Sequence, residues 1–219
     1  MIRFQDNTVR DGMQQRNINK NYRTKLQVFE LIGKSHVDSV EIGMCSSNDD
    51  YAMICEESKK LSKNQEVVVL TRLVKQDIDI TAKLLKKIPQ LVIKLLVPIS
   101  NLHIKKKLGL TKESLKYKLE NCLNYLCQLS IKTDICFEDA TRADKIYLME
   151  ILQMCNNYPI RFVTIADTVG CMVPEEFGKL IYDIKQNQYN FKISVHCHND
   201  LGLATANSIA GVLNGAEQV

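Results

Sequence analysis

Two short runs in this 219-residue sequence carry residue types that can grip a metal ion. His196 and His198 stand two apart at the end of an apolar run, and Asp11 follows Asn7-Thr8-Val9-Arg10. In a strand, side chains at i and i+2 share a face, so both imidazoles can aim at one ion while Cys197 turns away. Two neutral nitrogens want an anionic third ligand, and Asp11 is the candidate. A His-His-Asp set leaves positions open for substrate oxygens, as a catalytic site requires. Mg²⁺, Mn²⁺ and Zn²⁺ all suit these donors, and ligand type does not choose among them. The plainer alternative is a pair of histidines that cap a helix start or hydrogen-bond in a core.

These residues need a scaffold, and the chain supplies short strand-like runs alternating with longer helix-like stretches. The strand candidates are Ile2–Gln5, Val37–Ile42, Val67–Leu70, Leu91–Val97, Asp134–Phe137, Arg161–Ile165 and Ile193–His196. Helical periodicity marks Tyr22–Lys34 and Lys112–Leu129. Pro174 opens another helix with Glu175 and Glu176 in its first turn. A final helix, about Leu201–Leu213, has Asn199-Asp200 as its expected cap. Strict alternation implies parallel strands with crossover helices, which a doubly wound sheet and a closed barrel both satisfy. No Gly-x-Gly-x-x-Gly turn follows the first strand, which weakens a nucleotide-binding sheet. Gly215–Val219 reads as the start of an eighth strand. The economical expectation is one α/β domain over residues 1–219, a TIM (β/α)8-type barrel truncated before its last β/α unit. Such barrels gather chemistry at the C-terminal strand ends, where Asp11, His196 and His198 fall.

Composition narrows the class. Hydrophobic residues make up 45% and charged ones 25%, a globular balance. The net charge of +4 is spread along predicted helix faces, which argues against nucleic acid and would suit an anionic substrate. Eight cysteines contain no Cys-x-x-Cys pair, and Cys122, Cys127 and Cys155 lie in apolar stretches where a reduced thiol behaves as a small hydrophobe. No apolar run of membrane-spanning length and no signal-type N-terminus is present. A reduced, soluble, cytoplasmic protein is expected.

Asp6–Gln14 resembles the opening signature of the metallolyase-type barrels, which include isopropylmalate, homocitrate and citramalate synthases and HMG-CoA lyase. Ile193–Ala204 is similar to the second signature of the synthases. Phe137–Arg142, Ala166–Gly170 and Ser100–Ile104 with the Lys105–Lys107 run also resemble them, in the same order. The resemblance implies that Asp11, His196 and His198 hold a divalent metal, chelated by the carbonyl and carboxylate of a 2-oxo acid. It implies that Arg10 stabilises the oxyanion, that Thr168 hydrogen-bonds the substrate carboxylate, and that Glu138 acts near the reacting carbons. Gln14, His103 and Arg142 would line the pocket. The implied activity is condensation of acetyl-CoA with the 2-oxo acid, by a homodimer in the full-length protein.

Each role has a structural competitor. Arg10 could pair with Glu41, whose side chain is expected inside the barrel. Glu138 and Asp139 could form a solvated acidic turn, Thr168 a loop cap, and His103 a surface histidine. Lys105–Lys107 reads as a solvated face, with contact to a coenzyme A phosphate as the alternative. Lys94, inside an apolar strand, has no account at this level. Met13 stands where the synthases usually carry glutamate and is similar to the lyase and aldolase branches, so carbon–carbon cleavage is the alternative reaction. The second strand's ending, Glu41–Cys45, also departs from the family pattern. A biotin-dependent carboxyltransferase fits less well, lacking the Asn-Asp-Leu-Gly run, and a non-catalytic 2-oxo acid sensor would not need the intact Arg10, Asp11, His196 and His198.

Overall fold

The computed structural model describes residues 1–15 and 21–219. Strand and helix alternate throughout: β1 (Gln5–Asp6), α1 (Tyr22–Gly33), β2 (Ser39–Met44), α2 (Asn48–Ser58), β3 (Glu66–Arg72), α3 (Lys75–Lys83), β4 (Leu91–Pro98), α4 (Lys112–Leu129), β5 (Thr133–Glu138), α5 (Lys145–Cys155), β6 (Ile160–Asp167), α6 (Pro174–Lys185), β7 (Lys192–Cys197) and α7 (Ala204–Leu213). The strands follow one another in chain order from β1 to β7. That order separates the two folds the periodicity left open. A doubly wound sheet reverses direction at a switch point, whereas a (β/α) barrel adds each strand beside the last.

The chain forms two compact units, Arg3–Lys94 and Met1–Ile2 with Leu95–Val219. In the first, β1, β2 and β3 are parallel, with Gln5 opposite Ser39 and Val40 opposite Val67. The register shifts between Glu41 and Gly43, a bulge in the strand that carries the buried Glu41. The core is built from Val40, Ile42, Val67 and Val69 with Phe29 and Ile32 of α1, Ile54 of α2 and Leu91 of β4. Strands buried on both faces read as nearly continuous apolar runs, which is why their sequence signal was clear.

In the second unit β5, β6 and β7 are parallel, with Phe137 opposite Ile165 and Ala166 opposite His196. Helix α4 buries Leu115, Leu119, Cys122, Leu123 and Leu126, spaced as one helical face. Its N-cap Thr111 accepts a hydrogen bond from the Ser114 N–H at 3.1 Å. Cys127 lies on the outer side of α4 and is exposed, unlike the buried Cys122 and Cys155. Pro174 opens α6 as its sequence predicts. Helix α7 begins at Ala204, three residues later than expected, yet the Asn199 side chain still accepts the Ala204 N–H at 3.1 Å. After α7, Glu217 N–H donates to the Ile193 carbonyl (2.8 Å) and Val195 N–H to the Gln218 carbonyl (3.0 Å). Ser194 and Gln218 form a parallel bridge there, so residues 217–218 pair along the free edge of β7. Among the described residues no helix is long and apolar enough to cross a membrane.

Candidate functional site

The turn after β1 is shaped by Asp6, whose carboxylate accepts the Thr8 N–H (2.9 Å) and hydroxyl (3.2 Å). The Asn7 carbonyl then collects three N–H groups, from Arg10, Asp11 and Gly12. This tight wrap presents Arg10 and Asp11 side by side, both largely buried, with Arg10 Nη1 3.4 Å from Asp11 Oδ1. Arg10 Nε also donates to Glu41 Oε1. The competing reading of Arg10 as a partner of Glu41 is therefore the geometry found. Glu41 Oε2 in turn accepts from Gln5 Nε2 (3.0 Å) and lies 3.3 Å from Lys94 Nζ. Lys94 Nζ donates to Gln5 Oε1 at 3.0 Å. Lys94 thus gains the account its sequence position lacked: it is the buried counter-charge of Glu41. Arg10 lies against both Asp11 and Glu41, and Lys94 against Glu41, so each buried charge has an opposite charge beside it. Met13 packs half-buried against the apolar core beside this turn, and Gln14 is exposed.

At the end of β7, His196 and His198 stack with ring centroids 5.0 Å apart and planes 12° from parallel. The alternation expected of a strand holds: Cys197 turns toward the Ser208 hydroxyl of α7, and burial pushes its thiol up to about 11. The histidine segment is tied to the end of β6, where the His198 N–H donates to the Asp167 carbonyl at 3.1 Å. Gly170, in the left-handed region at φ +56°, lets this turn close. A Cβ there would stand 2.8 Å from both the Asp200 nitrogen and its Oδ2. His196 and His198 offer two half-buried imidazoles at this strand end, and Asp11 in the other unit offers a half-buried carboxylate.

The end of β5 carries the second cluster. Asp139 adopts a left-handed conformation (φ 62°, ψ 36°), which aspartate tolerates better than most residues. The turn sends the Asp139 side chain inward, fully buried, where Arg142 clamps it through two hydrogen bonds of 2.7 and 2.8 Å. Burial pushes the Asp139 carboxyl up, but Arg142 and the Ser100 hydroxyl outweigh it and hold it below the usual carboxylate range. Its backbone N–H donates to Thr168 Oγ1 at 2.8 Å. Buried Asp167 accepts the Thr141 hydroxyl (2.9 Å) and the Cys171 and Met172 N–H groups, which fixes the loop after β6. Glu138 is half-buried and both its oxygens lie 2.7 Å from Lys107 Nζ. The acidic turn is therefore not a solvated one.

His103 and Lys107 belong to one wide helical turn, closed by an i→i+5 bond from the Leu108 N–H to the His103 carbonyl at 3.1 Å. Such turns widen the backbone locally and recur at functional sites. Here the turn brings His103 Nδ1 to 3.7 Å from Glu138 Oε1 and His103 Nε2 to 3.7 Å from Asp139 Oδ2. Lys105 and Lys106 are exposed, as a solvated run predicts, but Lys107 bends back onto Glu138. Within this unit the structure brings together His103, Glu138, Arg142 and Thr168 of the predicted residues. It adds Lys107, Asp139, Ser100 and Asp167. Asp139 and Asp167 were visible inside the recognised motifs, whereas nothing in the lysine run singled out Lys107.

A model of the HMGL-like family matches residues 1–219. The chain is 36% identical over 222 residues to a protein named 2-isopropylmalate synthase from Halothermothrix orenii, covering 100% of this chain and 43% of the relative. It is 33% identical to a protein of the same name from Pyrococcus furiosus, covering 100% and 44%. The chain spans under half the length of these curated relatives. Among solved structures, the HMG-CoA lyase of Bacillus subtilis has a TM-score of 0.83 at 14% identity, over 99% of this chain and 75% of that one. The carboxyl transferase domain of Rhizobium etli pyruvate carboxylase in complex with pyruvate has a TM-score of 0.72 at 12% identity, over 100% and 39%. These likenesses show the fold alone, and the fold is of the TIM-barrel type. This chain belongs to the HMGL-like family.

Proposed function

We propose that this chain is the barrel of a metal-dependent acyltransferase that condenses acetyl-CoA with a 2-oxo acid. The observation that carries the reading is the likeness to 2-isopropylmalate synthases along the whole chain, at 33–36% identity. Asp11, His196 and His198 would hold the ion. The donor set fits: two imidazoles stacked on one side of a strand end, and a carboxylate held beside Arg10. When bound, a divalent cation supplies a Lewis acid for the 2-oxo acid's carbonyl.

The chain's own residues divide the remaining work. Arg10, fixed by Glu41, would stabilise negative charge developing on the carbonyl oxygen, a role suited to a donor that need not reorganise during reaction. Glu138 would act at the methyl group of acetyl-CoA as the group that takes its proton. Thr168 accepts the Asp139 N–H, which leaves its own hydroxyl proton to donate to the substrate carboxylate. Gln14, His103 and Arg142 would line the pocket. Met13, packed on the apolar core, makes the surroundings of Asp11 less polar than a glutamate would, and its likeness to the lyase and aldolase branches makes cleavage of a carbon–carbon bond the second reading. The full-length protein would act as a cytoplasmic homodimer.

The test is release of free thiol from acetyl-CoA by the full-length protein, with divalent metal and pyruvate, 2-oxoisovalerate or 2-oxoglutarate. Release with one of these acids, lost in His196→Ala, is the expected outcome and names the substrate. No release with any of them, alongside tight metal binding, would overturn the acyltransferase reading in favour of cleavage.

A further inference from the structure

We infer that Lys107 is a positioning residue: it holds both oxygens of Glu138 and keeps that carboxylate from pairing with His103. Three observations carry this. Lys107 Nζ stands 2.7 Å from each Glu138 oxygen, although the rest of the lysine run is solvated. His103 Nδ1 is buried without a hydrogen-bond partner, 3.7 Å from Glu138 Oε1. Asp139, the other carboxylate facing His103, is taken by Arg142 through both oxygens. A buried polar atom without a partner is costly, so the neighbouring carboxylate would close the gap if it were released.

The charged groups facing His103 are Glu138 and Asp139, with Lys107 and Arg142 behind them and Lys105 and Lys106 exposed on its own turn. Removal of the Lys107 ammonium leaves Glu138 with one partner in reach, the His103 imidazole. That contact favours the imidazolium, because an opposite charge within hydrogen-bond reach stabilises the charged form. With Lys107 present, Glu138 stays aimed by the ammonium group. The consequence for turnover rests on the acyltransferase reading, since it assumes that Glu138 takes a proton from substrate.

The experiment follows the four histidines of the ¹³C-histidine-labelled chain by NMR titration without added metal, His103 being assigned through His103→Gln. In Lys107→Met the His103 pKa is expected to rise by about one unit, and in Lys107→Arg to stay at the parent value. An unchanged His103 titration in Lys107→Met overturns the inference. The full-length protein supplies the second arm. The kcat for thiol release should fall roughly tenfold or more in Lys107→Met, with the 2-oxo acid KM little changed and Lys107→Arg recovering most of the loss. A raised His103 pKa with unchanged kcat would overturn the positioning role. If the parent releases no thiol, the acyltransferase reading fails, and the titration still decides what Lys107 does.

Discussion

Glu41, inside β2, and Glu138, the last residue of β5, each pair with a lysine, but their surroundings differ in kind. The Glu41 side chain is 1% exposed and Lys94 2%, and Arg10 and Gln5 also hydrogen-bond into this cluster. The Glu138 side chain is 17% exposed, Lys107 is 47% exposed, and the neighbouring His103 nitrogen has no partner. The first cluster holds its charges largely out of water and fixes Arg10 between two carboxylates. The second has an exposed cation and an unfilled contact, so its partners can change. Rigid support under one group and adjustable support under another is a division that suits the roles proposed above for Arg10 and Glu138.

The largest expected effect breaks the first cluster. Glu41→Gln strips the carboxylate from two cations, one of them fully buried, and the loss of one partner from a buried ion pair costs about 3–5 kcal/mol. The denaturant midpoint should fall accordingly, with the m-value unchanged. A loss below about 1 kcal/mol would mean that Lys94 and Arg10 do not depend on the Glu41 carboxylate.

Asp139→Asn probes the buried anchor of the second cluster. It replaces the charge-assisted fork to Arg142 with weaker bonds, for an expected loss of about 1–3 kcal/mol in the unfolding free energy near neutral pH, read from denaturant melts. The same group predicts a pH dependence. Its folded-state pKa lies below the ordinary carboxylate value near ~3.9, so the unfolded chain takes up its proton first as pH falls. The contribution of Asp139 is therefore fully present above that value and lost as pH falls through the lower folded-state pKa. The parent should lose stability with acid more steeply than Asp139→Asn, and parallel curves for the two would contradict the assignment.

Much of the scaffold was legible because its physics is local. All seven strands lie within two or three residues of their apolar runs, and Lys112–Leu129 matches its helical period to the residue. The first strand is the exception: it pairs at Gln5–Asp6, after the apolar Ile2–Phe4, because its partners are backbone groups of β2 and pairing does not require apolar side chains there. Periodicity could not choose between a barrel and a doubly wound sheet, since strand order is a long-range property. The same limit hid the clusters. Lys94 and Gln5 are 89 positions apart and Lys107 and Glu138 are 31 apart, so neither pair leaves a local mark. A lone charge in the apolar run Leu91–Val97 was the usable signal for Lys94. For Lys107, flanked by two solvated lysines, no such signal existed.

Gly170→Ala tests whether the histidine segment is held as firmly as Arg10. The new Cβ would meet the Asp200 backbone at 2.8 Å, and its residue would sit at a positive φ. A loss of about 1–2 kcal/mol is expected from the conformation and the clash together. Because Asp200 follows His198 by two residues, metal affinity measured by calorimetry should fall with it. Unchanged affinity at reduced stability would place the His196–His198 pair outside the reach of the β6 loop.

Lys107→Met should give the smallest change in stability, and that is its value to the comparison. An exposed lysine on a half-buried carboxylate contributes about 0–1 kcal/mol, because water screens the attraction and the long side chain loses freedom. The vacated contact can also be filled by His103, which recovers part of what is lost. The unfolding free energy from denaturant melts should therefore change by less than about 1 kcal/mol, well under the Glu41→Gln effect. A loss as large as that of Glu41→Gln would show that Lys107 is as integral as Lys94. The two clusters would then be equally rigid, and the partner exchange inferred for Glu138 would have no room to occur.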